Sequence, residues 1–158
     1  TLQHKNIKNM LLSTKGLNIN LTVVGEIDKE LKNIFKKEKI DFKNYINISD
    51  NKMNNLYKNN DILLMASNYE GFGMPIIEAQ ASGVAVITSN IEPMKTVAGG
   101  SALHVCPQNK NEIKGMLKKV ISNDKLFKIL VKKGLINSYN YKSSKIVKKY
   151  CDLYLKIS

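Results

Sequence analysis

Chemistry in this sequence concentrates between residues 67 and 83, which read SNYEGFGMPIIEAQASG. Two carboxylates, Glu70 and Glu78, flank seven residues that include Gly71, Gly73 and Pro75. The glycines remove side chains on either side of Phe72, so backbone N–H groups there can approach a ligand and take conformations closed to other residues. Pro75 suits the first turn of a helix. A helix that starts behind a glycine-containing loop presents unpaired N–H groups and the positive end of its dipole, which bind phosphate without a basic side chain. Glu78 falls about one turn into that helix, where a carboxylate can accept two hydrogen bonds from a vicinal diol such as a ribose. Taken alone, these residues describe a phosphate site, suited to a diphosphate, with two acids beside it.

Such a loop has to be held by a scaffold, and the surrounding sequence predicts one of alternating strands and helices. Ile7, Met10 and Leu11 sit at helical spacing ahead of Gly16, a plausible stop. A short apolar, β-branched run over 21–25 reads as a buried parallel strand, and 27–39 as an amphipathic helix carrying Leu31, Ile34 and Phe35. A strand is predicted over 45–48, then a polar helix with Met53, Leu56 and Tyr57, then the apolar run DILLMAS over 61–67. Helix follows over 78–82, strand over 85–88 and 102–105, and helix over 112–122, the first of three lysine-rich helices. The repetition predicts an α/β fold, a Rossmann-like parallel sheet with helices on both faces. Ligands of such sheets bind beyond the carboxyl ends of the strands, where the loop after DILLMAS falls.

The chain of 158 residues matches the size of one domain and shows no repeat, low-complexity linker or charge block to divide it. No apolar run reaches the roughly 20 residues of a membrane helix, and the first residues lack a signal-peptide layout, so a cytoplasmic location is expected. Cys106 and Cys151 are far apart and have no histidines at metal-ligand spacing, which predicts buried or incidental thiols and no zinc site. The net charge of +12 comes entirely from lysine, with no arginine and few aromatics interleaved. Nucleic-acid readers lean on arginine and stacked aromatics, so no nucleic-acid partner is expected.

The run SNYEGFGMPIIEAQASGVAVITS closely resembles the signature of the group 1 (family 4) retaining glycosyltransferases of GT-B fold. Its two glutamates flank a seven-residue spacer beginning GFG. Downstream, VAGGSALHVCP over 97–107 resembles that family's following strand and loop; upstream, HKN over 4–6 resembles its lysine-bearing loop. The resemblance implies that the chain is one domain, residues 1–158, forming the C-terminal, donor-binding half of such an enzyme. It implies transfer of a sugar from a nucleoside-diphosphate sugar, a UDP-sugar in preference to a GDP-sugar, to a saccharide or lipid-linked saccharide hydroxyl. Anomeric configuration would be retained, with no cofactor and no obligatory metal.

Residue by residue, the resemblance assigns Glu70 to the donor sugar as the catalytic candidate, and Lys5 to the diphosphate leaving group. Gly71, Phe72, Gly73, Met74, Pro75 and Ile76 would hold sugar and diphosphate, and Glu78 the ribose. The family's arginine ahead of the lysine is missing, and His4 could assist in its place. Thr96 and Gly100 stand where the family often has acids, which bears on acceptor or sugar preference. His104 alternates with apolar neighbours in a predicted strand and reads as structural. The acceptor half would lie on an N-terminal domain of the same enzyme, so this chain alone is expected to be inactive. The lysine-rich helices could hold the enzyme against the inner face of an anionic membrane. A/T-biased composition fits bacterial O-antigen or capsule synthesis. The alternative is a non-catalytic sugar-nucleotide binding module.

Overall fold

A computed structural model describes residues 5–157, with the side chains of 5–155. In chain order the elements are α1 (Ile7–Ser13), β1 (Thr22–Val24), α2 (Lys29–Lys37), β2 (Lys43–Tyr45), α3 (Asp50–Lys58) and β3 (Ile62–Met65). They continue with α4 (Met74–Ala81), β4 (Ala85–Ser89), α5 (Met94–Ala98), β5 (Leu103–Val105), α6 (Lys110–Ile121), α7 (Asp124–Tyr139) and α8 (Ser143–Ile157). Every strand pairing is parallel, as strands joined through helices require.

Strand β4 lies between β3 and β5, with Ile62 opposite Ala85 and Ile87 opposite Leu103. All five of its residues are buried, and its alternation divides them between two cores. Val86 joins Met65, Ile76, Ala79, Met94 and Val97 on one face. Ala85 and Ile87 join Val105, Ile113, Leu117, Val120 and Leu130 on the other. Helices therefore cover both faces, and each fully buried Ile or Leu contributes about 1.5–3 kcal/mol of apolar transfer.

The predicted parallel α/β architecture with helices on both faces holds, and its strands fall into two sheets. β1 and β2 form a separate parallel pair, with Thr22 opposite Lys43. This pair has its own core of Ile7, Leu11, Ile27, Phe35 and Ile40, where Phe35 and Phe42 meet edge to face at 5.6 Å. Only three residues long, each strand holds to the cluster beneath it, and an open cleft separates β1 from β3. Met10 of α1 touches both neighbouring cores.

Two local boundaries also differ from expectation. The strand predicted over 45–48 lies at Lys43–Tyr45, because Asn47 takes a left-handed φ of 52° that ends the ladder and Ile46 is exposed. Helix α5, only five residues long behind Pro93, is not signalled by periodicity. Cys106 is half-buried and Cys151 exposed, so neither thiol is a core residue.

Candidate functional site

The loop after β3 is fixed before it reaches Glu70. Ser67 is buried, its carbonyl accepts the Ser89 hydroxyl at 2.5 Å, and its own hydroxyl donates to Glu70 Oε1 at 2.8 Å. The last residue of β4 thus orients Glu70 through Ser67. Nearby, Thr88 donates to the Met65 carbonyl at 3.0 Å, and Gln108 Nε2 to Asn68 Oδ1 at 3.0 Å. Glu70 itself is half-buried.

Gly73 precedes α4 with φ 96°, a conformation that side chains disfavour, and a Cβ there would meet Ile76 Cδ1 at 3.2 Å. It offers no side-chain cap, so the amide end of α4, with Pro75 in its first turn, faces the loop uncapped. Gly71 differs: a Cβ there would meet nothing within 4 Å. Internal packing gives no reason for that glycine. Phe72 is 45% exposed and rests edge to face on Tyr141, ring centroids 6.1 Å apart. It is therefore no core anchor. Met74 is exposed, whereas Ile76 is fully buried and reaches a ligand only through its backbone.

A cleft of about 860 Å³ runs between β1 and β3, and Lys5, Ser67, Glu70 and Pro75 are among its lining residues, whereas Gly71, Phe72, Gly73, Met74, Ile76 and Glu78 are not. The structure thus brings Lys5 and Glu70 to one cleft. His4, the proposed helper, lies outside the described residues.

Two neighbours of the site are not singled out by sequence. Asn6, buried and left-handed at φ 52°, donates from Nδ2 to the carbonyls of Ala66 at 2.8 Å and Pro107 at 2.6 Å. It clamps the segments leaving β3 and β5 and sets the position of Lys5. The sequence signals are its place in the HKN run and an Asn, tolerant of positive φ, at the start of a helix. Tyr57 of α3 is buried and donates its hydroxyl to Glu78 Oε2 at 3.0 Å. Burial, and then the Glu78 carboxylate, hold its phenol well above the usual tyrosine value. Glu78 is exposed on α4.

Beneath these residues, buried Gln80 anchors α4. Its Nε2 donates to Ser101 Oγ at 2.8 Å, and its Oε1 accepts from Asn137 Nδ2 at 2.8 Å. Gly134 of α7 permits that approach, since a Cβ there would lie 3.0 Å from Gln80 Cγ. His104 sits on β5 with Nδ1 3.3 Å from the Ser89 carbonyl, a backbone contact consistent with a structural histidine.

A parallel α/β domain with helices on both faces and a glycine-bearing loop leading into a helix after its β3 strand is of the Rossmann-like fold class. Within that class, the chain belongs to the group 1 glycosyl transferases, whose family model matches residues 2–135. It is 31% identical over 126 residues to the O-antigen chain mannosyltransferase RfbU of Salmonella typhimurium, covering 74% of this chain and 35% of that one. The C-terminal domain of the group 1 glycosyl transferase LpcC from Francisella tularensis superposes with a TM-score of 0.74 at 25% identity, covering 92% of this chain and 80% of that structure. Anabaena HepE, solved with UDP and glucose, superposes with a TM-score of 0.82 at 16% identity, over 98% of this chain and 45% of that one. The chain spans less than half the length of RfbU and HepE.

Proposed function

We propose that this chain binds a nucleoside-diphosphate sugar and serves as the donor half of a retaining glycosyltransferase acting in O-antigen or capsule assembly. The observation that carries the reading is the convergence of Lys5, Glu70 and Pro75, in the first turn of α4, on one cleft. In the proposed reaction the bond between the anomeric carbon and the diphosphate oxygen breaks, and its electron pair leaves with the diphosphate. Lys5 and the α4 amides stabilise that new charge without an obligatory metal. Glu70, held by Ser67, faces the positive charge that develops on the sugar. The acceptor hydroxyl bonds to the anomeric carbon on the face the diphosphate left, and its proton ends on the released diphosphate. Glu78 holds the ribose.

UDP is the favoured nucleotide, in keeping with the ligand of HepE. The acceptor half is assigned to a preceding domain, as the greater length of the relatives suggests. A surface suited to such a domain is present on α8, where Ile146, Val147, Tyr150, Leu153 and Tyr154 are exposed along one side of the helix. The chain alone would bind donor without transferring it. Cytoplasmic residence, with the lysines of α6 to α8 against the inner membrane face, completes the reading. Among the described residues no helix is long and apolar enough to cross a membrane.

Calorimetric titration with UDP, GDP and their sugar conjugates tests it. One nucleotide should bind saturably, and Lys5→Ala and Glu78→Ala should each weaken it about tenfold, the loss of one charge-assisted contact. Absence of saturable binding to every nucleotide would overturn the reading.

A further inference from the structure

We infer that Tyr57 is the positioning residue that sets the ribose selectivity of this site by holding Glu78 in its ligand-ready orientation. The inference rests on the proposed role of Glu78 and extends it to a residue 21 positions away on another helix. Tyr57 belongs to the core cluster with Met65, Ile76 and Val84, and its hydroxyl donates to Glu78 Oε2 at 3.0 Å. A glutamate exposed on a helix ordinarily samples several rotamers. This one is tied to a buried ring that cannot move with it. Each carboxylate oxygen has two lone-pair sites, so the tyrosine bond leaves both oxygens able to accept from a vicinal diol. A side chain ordered before the ligand arrives loses less freedom on binding, and the gain is confined to ligands that use it. Those are ligands with ribose hydroxyls.

The test compares the tighter of UDP and GDP with its 2′,3′-dideoxy analogue in wild type and Tyr57→Phe. Phenylalanine keeps the ring in the core, and melting temperatures recorded in parallel check the fold. Tyr57→Phe should weaken the ribonucleotide about 3- to 10-fold and leave the dideoxy analogue within about twofold. On a Glu78→Ala background, with folding checked by the same melting measurement, adding Tyr57→Phe should change neither affinity. Equal weakening of both ligands would show a merely structural role and overturn the inference, as would no weakening of either. A wild type that binds both analogues equally would remove ribose recognition from Glu78 and take the inference with it. If wild type discriminates and Tyr57→Phe does not change that discrimination, the inference fails while the proposed function stands.

Discussion

Replacing Asn6 by alanine tests whether the clamp between the β3 and β5 loops is structural. The substitution removes both hydrogen bonds from Nδ2, leaving the Ala66 carbonyl without that donor. The Pro107 carbonyl retains a longer contact from Asn9 Nδ2 at 3.4 Å, so its loss is smaller. Each buried polar group left unsatisfied costs about 1–3 kcal/mol, giving roughly 2–4 kcal/mol for the pair. Alanine at φ 52° adds about 1 kcal/mol of left-handed strain that asparagine tolerates. Asn6→Gly loses the same hydrogen bonds without that strain. The expected order of stability is therefore wild type, then Asn6→Gly, then Asn6→Ala, with about 1 kcal/mol between the variants. Urea unfolding measures these differences directly. In melting temperature the alanine variant should fall by roughly 10 °C, taking 2–4 °C per kcal/mol for a domain of this size. An alanine or glycine variant within about 1 kcal/mol of wild type would refute the clamp, and a glycine variant less stable than the alanine one would refute the strain argument.

The two glycines of the donor loop should separate fold from function. Gly71→Ala meets no atom within 4 Å and should leave urea stability within about 0.5 kcal/mol, yet weaken nucleotide binding about tenfold where the ligand backbone contact is crowded. Gly73→Ala, at φ 96° and 3.2 Å from Ile76 Cδ1, should cost about 1–3 kcal/mol of stability as well. Acid unfolding should report Glu92, whose carboxylate is held below its ordinary value of 4.5, first by its side-chain hydrogen bond to Thr96 and then by the Thr96 amide. Because the folded value is the lower one, this contribution is complete above pH 4.5 and is lost as pH falls through the folded value. Glu92→Gln should flatten that part of the acid limb, and an unchanged limb would sink the assignment.

Much of the fold is legible in sequence because its signals are local. Gly73 and Pro75 mark the start of α4, and the continuous apolar run Val84 to Ile87 marks a strand buried on both faces. Where a signal is not local, legibility stops. β2 ends at Tyr45 because of the backbone at Asn47, a feature that residue type alone does not fix. The division of the sheet depends on how three separate clusters pack, which no periodicity records. The site shows the same split. Glu70 and Glu78 stand out by spacing, whereas Asn6 contacts residues 60 and 101 positions away, and Tyr57 has the appearance of an ordinary amphipathic-helix residue.

The residues found only in three dimensions share one feature: each is a buried side chain that ties down a carbonyl or carboxylate of the site. Ser89 holds Ser67, which holds Glu70; Asn6 holds the residues beyond β3 and β5; Tyr57 holds Glu78. Transition-state stabilisation by fixed dipoles depends on groups that do not reorganise when charge moves, so these supports matter as much as the acids they orient. The exposed side chains of the same loop, Tyr69 and Met74, are under no such constraint. A rigid set of charged and amide groups is thus surrounded by adaptable apolar ones. That division suits the proposed donor half, because a diphosphate leaving group would require fixed geometry and sugar recognition would require contacts that can change by substitution without disturbing it.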